Sequence, residues 1–219
     1  MVFLYSKFSG DEFIELDGDE FRHLKVRRVK LGDRVDVRNL KDGYNYIYEI
    51  KEFDRRKATL ELVFKHSVIV ENESNLTLAW AVVEPAVIEK TLPLLNELGV
   101  KNLYFVYTEF SQKNYKLDFE RMERILINSS QQCGRNSIIN LEIFGGFDEF
   151  VDKFSNVSLI NFGGKSLNLA SENELFFIGP EGGFSVDEAL KVKTHYALNT
   201  SNILRSNTAI VSVAAKFII

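Results

Sequence analysis

Short alternating stretches fill the first part of the chain. "RVDVRNL" (34–40) and "NYIYEIKEF" (45–53) place apolar residues at nearly every second position, with "KDGY" and its Asp42-Gly43 pair between them. A period of two around an Asp-Gly turn predicts a β-hairpin with one face buried. "ATLELVF" (58–64) alternates again after the charged "DRRK". Residues 1–70 therefore read as a small β-barrel or sheet module. The polar, aperiodic "VENESN" (70–75) is the expected boundary.

Beyond it the pattern changes. "LTLAWAVV" (76–83) is almost continuously apolar, as in a strand buried on both faces. "AVIEKTLPLLNELGV" (86–100) carries helical spacing and stops at Gly99, and "FERMERILINSSQQCG" (119–134) stops at Gly134. "NLYFVYTEF" (102–110), "NLEIF" (140–144), "VSLINF" (157–162) and "LFFIG" (175–179) read as strands; "SVDEALKVKTH" (185–195) and "TAIVSVAAKF" (208–217) read as helices. Alternating strands and helices predict an α/β domain with a mostly parallel sheet over residues 71–219.

Composition narrows the class without naming a function. Among 219 residues, 45% are hydrophobic and 26% charged, an ordinary globular balance. No apolar run approaches the ~20 residues of a membrane span, and the amino terminus lacks a signal-peptide pattern. The single cysteine, Cys133, excludes an internal disulfide framework, and with only His23, His66 and His195 beside it no metal site is expected. These features point to the cytoplasm, with no membrane partner. His66 and His195 are expected to face solvent at element ends, and Cys133 to pack.

Net charge is −4, yet residues 1–70 sum to +1 and residues 71–219 to −5. Arg22, Lys25, Arg27, Arg28 and Lys30 lie within nine residues that contain no acid. Such a patch attracts phosphate locally even on an acidic protein, although a solvated helix face would look the same.

The stretch that asks for an explanation is "FFIGPEGGFSVDE" (176–188), where an expected strand runs into Gly-Pro-Glu-Gly-Gly. Ligands of open parallel sheets bind at such carboxyl ends. No Gly-Lys-Ser/Thr follows, so the turn is not a phosphate-cradling P-loop, and no Gly-x-Gly-x-x-Gly is present. Ser185 and Glu188 have the spacing of a capping box, so turn geometry accounts for part of the pattern.

Together with "ALNTSNILRSNTAIVSVAAK" (197–216), this stretch resembles the carboxyl-terminal signature of the RsmE-type 16S rRNA (uracil-N3)-methyltransferases of the SPOUT superfamily. "NELGV" (96–100), "QQCGR" (131–135) and "HLKVRRVKLGDRVDV" (23–37) are similar to further family segments, the last to its PUA-like RNA-binding domain. The resemblance implies a PUA-like domain over 1–70 and a trefoil-knotted methyltransferase domain over 71–219. It also implies S-adenosylmethionine as cofactor, a homodimer, and 16S rRNA of the small subunit as substrate. Two alternatives stay open: another SPOUT RNA methyltransferase with a different target base, and a catalytically silent RNA-binding or assembly factor of the same fold.

Carried onto matched positions, the cofactor wall comprises Ile160, Phe162, Gly163, Gly179, Pro180, Glu181, Gly182, Gly183, Leu198, Asn199, Leu204 and Ser206. Glycines there would let the main chain approach the ligand. The family often has His-Pro near Asn161-Phe162. Uridine N3 carries a proton at neutral pH, so methylation needs a base or cationic donors for a developing uridinate; Arg205 and Arg135 are the implied donors. The family's glutamate falls on Asn207, whose amide is expected to orient substrate or brace the site. Leu94 stands where relatives commonly carry lysine. Arg22, His23, Lys25, Arg27, Arg28, Lys30, Arg55 and Arg56 are expected to grip RNA, and Tyr104, Phe105 and Tyr107 to lie on a strand near the pocket.

Overall fold

A computed structural model describes residues 2–68, 74–171 and 173–219. Residues 70–73 of the expected boundary lie outside that description. The chain divides into two compact units, one of Met1–Asn72 with Ile127–Ile138, the other of Glu73–Leu126 with Ile139–Ile219. Among the described residues no helix is long and apolar enough to cross a membrane.

In the first unit the elements are β1 (Leu4–Tyr5), β2 (Phe13–Leu16), α1 (Gly18–Val26), β3 (Arg34–Arg38), β4 (Tyr44–Phe53) and β5 (Ala58–Ser67). The expected hairpin forms, with β3 and β4 antiparallel and Val37 opposite Tyr46. The five strands make one sheet in the order β1-β3-β4-β5-β2. Alternate residues Val35, Val37, Tyr46, Tyr48 and Ile50 join Leu4, Leu16 and Leu60 in its core. Helix α1 adds Phe21 and Leu24 to that core. Phe21 and Leu24, its two buried apolar residues, are too few to mark a helix by periodicity, so the sequence leaves a basic patch and a solvated helix face both open.

Helix α3 (Phe119–Cys133) contributes its last turns to this unit. Val2 N–H donates to the Gln131 carbonyl at 2.7 Å, and Tyr5 N–H to Gln131 Oε1 at 2.9 Å. Arg38 is buried; it lies over the Phe3 ring at 4.3 Å and donates to the Gly134 carbonyl at 3.1 Å. Cys133 is exposed rather than packed.

The second unit holds β6 (Thr77–Ala81), α2 (Pro85–Leu98), β7 (Asn102–Val106), β8 (Asn140–Phe144), α4 (Phe147–Lys153), β9 (Val157–Ser166), β10 (Leu175–Ile178), α5 (Val186–Lys191), β11 (Thr194–Ala197) and α6 (Ser206–Ile218). All six strands are parallel, in the order β11-β9-β10-β6-β7-β8. Both faces are covered, as the continuous apolar strands require. On one face Ala79, Ala81, Phe177 and Leu159 pack with Phe147 and Phe150 of α4. On the other, Phe176 stacks on Phe217 of α6 at 4.6 Å between ring centres. Burying one such ring contributes about 1.5–3 kcal/mol.

Two expected elements differ. The strand over 102–110 ends at Val106, where Thr108 and Ser111 bond to each other and turn the chain. The helix over 185–195 stops at Lys191, and Thr194–Ala197 form β11 instead. His195 explains the switch. Its Nε2 lies 3.0 Å and 2.9 Å from the Ala189 and Val192 carbonyls, so the ring holds the end of α5 while its backbone pairs with β9. It is half-buried, not solvent-facing. His66 does lie exposed, on β5.

Candidate active site

A cavity of about 250 Å³ opens where three chain segments meet, near the lower end of the roughly 300–1,000 Å³ typical of small-molecule sites. Ile160, Phe162 and Gly163 come from β9, Gly179, Pro180, Glu181 and Gly183 from the turn after β10, Leu198 and Leu204 from the stretch between β11 and α6, and Ser206 from the start of α6.

The ladder between β9 and β11 builds this space. Its register runs from His195 opposite Leu159 to Tyr196 opposite Lys165, so five residues of β9 are passed over for one step of β11. Residues 160–163 are all in that passed-over stretch and all line the cavity. Gly163, with φ of +76°, supplies the left-handed turn that brings the chain back. Gly164 then lies so close to β11 that a Cβ there would stand 2.7 Å from the carbonyl carbons of both His195 and Tyr196.

The Gly-Pro-Glu-Gly-Gly turn has packing reasons as well as a ligand-facing side. Gly183 N–H donates to the Pro180 carbonyl at 2.9 Å, closing the turn. Gly183 has φ of +72°, with open space where a side chain would project. A Cβ on Gly179 would meet Gly183 and Phe184 at 3.2 Å. Gly182 does not line the cavity; its missing side chain makes room for Phe110, 3.3 Å from where a Cβ would be.

Polar bonds hold the turn at both ends. The buried Trp80 Nε1–H donates to Ser206 Oγ at 2.7 Å, and Ser206 Oγ donates to the Gly179 carbonyl at 2.5 Å. This relay ties β6, α6 and the cavity floor together. At the other end the predicted capping box forms, with Ser185 Oγ accepting from Glu188 N–H and Glu188 Oε2 from Ser185 N–H. The second oxygen of Glu188 accepts from Glu109 N–H at 2.8 Å, so one buried carboxylate anchors two loops.

Arg205 is the residue before α6 and exposed, and its side chain makes no hydrogen bond or ion pair among the described residues. Asn207, on the far side of Ser206, is half-buried. Neither lines the cavity. Arg135 falls in the first unit, where its Nε donates to Ser137 Oγ at 3.0 Å. Asn199 is exposed and outside the lining. Tyr104 and Phe105 are also outside it, packed on Phe154 and Trp80. Leu94 is exposed on α2.

Thr200, Asn202, Ile203 and Ala209 line the cavity without having been singled out in the sequence. They lie between and just after the matched motifs, and the only available signal was their nearness in the chain to Leu198 and Leu204.

In the first unit Lys25 Nζ donates to the Arg55 carbonyl at 2.9 Å, which joins α1 to the turn bearing Arg55 and Arg56. The two basic segments therefore form one surface. Its members are not equivalent. Arg28, Lys30, Arg55 and Arg56 are exposed, whereas Arg27 is half-buried and donates to the Phe3 carbonyl. Arg22 is paired with Asp19. Burial, with Arg27 and Arg22 nearby, pushes the His23 imidazole below its ordinary value, which disfavours its charged form.

Residues 70–218 match the family model described as the RNA methyltransferase domain, and residues 16–63 the RNA methyltransferase PUA domain. The chain is 38% and 37% identical to the ribosomal RNA small subunit methyltransferase E of two Helicobacter pylori strains, each over 98% of both chains. Its fold is that of a ribosomal RNA small subunit methyltransferase E from Neisseria gonorrhoeae, solved bound to S-adenosyl methionine, at a TM-score of 0.80 and 24% identity over 99% of this chain and 96% of that one. By its two domains and its near-complete alignment with those relatives, the chain belongs to the RsmE-type family of small-subunit ribosomal RNA methyltransferases.

Proposed function

We propose that this protein transfers a methyl group from S-adenosylmethionine to N3 of one uridine in 16S ribosomal RNA. The observation that carries the reading is the cavity at the carboxyl side of the parallel sheet, lined by apolar residues and by glycines of the motif segments. Its makeup fits the cofactor. Ile160, Ile178, Leu198 and Leu204 offer an apolar slot for a flat base, and the side-chain-free Gly163, Gly179 and Gly183 leave main-chain atoms open to ligand. Glu181 lines the cavity, is exposed and makes no hydrogen bond among the described residues, which supports a bond to ribose hydroxyls over a role in bracing the loop.

When bound, the cofactor supplies an electrophilic methyl group. The chain must then favour the uridine form that has lost its N3 proton. Arg205, uncommitted to any acid, can stabilise charge developing on O2 or O4. Arg135 is proposed as a second donor. Asn207 has no carboxylate to take a proton, and we assign its amide an orienting role. Asn207→Glu is therefore expected to change turnover by less than about threefold; a large gain would show that a base is missing here.

Residues 1–70 are proposed as the RNA-gripping domain and 71–219 as the methyltransferase domain. Family membership supports two further features, a trefoil-knotted path in the latter and a homodimer; an rRNA substrate supports the cytoplasm as place of action. Exposed cations should act through phosphates, so affinity should fall steeply with salt. Arg28→Glu with Arg56→Glu should flatten that dependence by about two in log–log slope, without the folding defect expected from altering half-buried Arg27.

The deciding test is transfer from labelled adenosylmethionine to small subunits lacking the modification, with reverse-transcription stops mapped. One stop at a single uridine supports the reaction, atom and substrate together. Incorporation at another base would move the chain to a different methyltransferase activity. Absence of both transfer and cofactor binding would favour a catalytically silent factor.

A further inference from the structure

We propose that the Phe162 ring is the platform on which the target base stacks, a role distinct from cofactor binding. The inference rests on the reading of the cavity as the methyl-donor site. Phe162 contributes to the lining, yet 73% of its surface is exposed. An apolar ring at a cavity mouth that is left largely in water has face to offer a partner. Its position is set by the chain. It belongs to the stretch of β9 passed over by the β11 ladder, its N–H donates to Asn161 Oδ1 at 2.9 Å, and the left-handed Gly163 follows.

The surroundings select a nucleobase as occupant. Ile203, 82% exposed, lines the same cavity from the segment leading into α6. Two residues further on, Arg205 adds an exposed guanidinium without an acid partner among the described residues. An aromatic face and an apolar contact for the ring of a base, with a cation for its carbonyl edge or adjoining phosphate, is the set that unstacked RNA bases use. The rival occupant of the Phe162 face is the cationic sulfonium of the donor, which an aromatic ring also attracts.

Two measurements separate these. In the first, 16S RNA transcribed with 4-thiouridine is irradiated on the intact protein and the cross-linked peptide is mapped. A cross-link at Phe162 is expected; cross-links only elsewhere would overturn the proposal. This readout needs no turnover, so it decides the stacking even if wild-type protein transfers no methyl group, an outcome that would count against the activity alone. In the second, Phe162→Ala should raise KM for RNA by about tenfold or more, Phe162→Trp should restore it, and the adenosylmethionine dissociation constant should move less than about threefold. A tenfold loss of cofactor affinity in Phe162→Ala would instead assign the ring to the donor.

Discussion

Arg205→Ala will lower the turnover number for methyl transfer by about 100- to 1,000-fold, the range seen when one preorganised donor to a developing anion is removed. Three features make this the largest effect on chemistry expected in the chain. Arg205 precedes Ser206, whose hydroxyl is fixed between Trp80 and the Gly179 carbonyl, so its backbone position is held although its side chain is exposed. Its carbonyl accepts from Ala209 N–H at 2.9 Å, the first bond of α6, which fixes the backbone direction further. The guanidinium forms no ion pair among the described residues, so neutralising it strands no acid and should leave stability nearly unchanged. The measurement is single-turnover transfer at saturating cofactor and RNA, beside a melting curve. Arg205→Lys should recover only part of the rate, because an ammonium lacks the planar fork. A rate loss that merely tracked a drop in melting temperature would argue against a catalytic donor.

Gly164→Ala should be the largest effect on stability. The added methyl group would lie 2.7 Å from two backbone carbons and 2.8 Å from the His195 carbonyl oxygen. None of these atoms is the far end of a flexible side chain, so β9 and β11 must separate. Overpacking of this kind destabilises by about 1–3 kcal/mol, occasionally more, which lowers the melting temperature by roughly 2–12 °C for a chain of this size. Adenosylmethionine affinity should fall with it, since Ala197 and Leu198 of the displaced segment line the cavity. Gly146→Ala, where a Cβ meets nothing within 4 Å, is the control. Equal melting temperatures for the two variants would mean that the strands can part without loss.

The packing of the glycines shows that a motif match does not assign each residue its role. Gly179, Gly182 and Gly183 read alike in the sequence, as side-chain-free residues beside a ligand. In the fold Gly182 makes room for Phe110, Gly179 for its own turn, and only Gly183 faces open space at the cavity. The reason is distance along the chain: Phe110 is brought to the turn by the loop that Glu188 anchors through Glu109 N–H. No local pattern carries that contact. The same holds for Arg27 and Arg28, adjacent in a basic run but differing in burial because one reaches back to the Phe3 carbonyl.

By itself the sequence determined the hairpin of β3 and β4, the parallel α/β pattern that follows, the helix ends at Gly99 and Gly134, the capping box at Ser185, and the motif segments that surround the cavity. Each is written in short-range chemistry: a period of two or 3.6, a residue that tolerates positive φ, a side chain three positions from an amide it can cap. Only the tertiary structure decided the β9–β11 register shift that opens the cavity, the turn of 194–197 from helix to strand, and the grouping of 127–138 with the first unit. These depend on which distant backbone satisfies a given N–H or carbonyl, and pairing energy of that kind is defined only once both partners are in place.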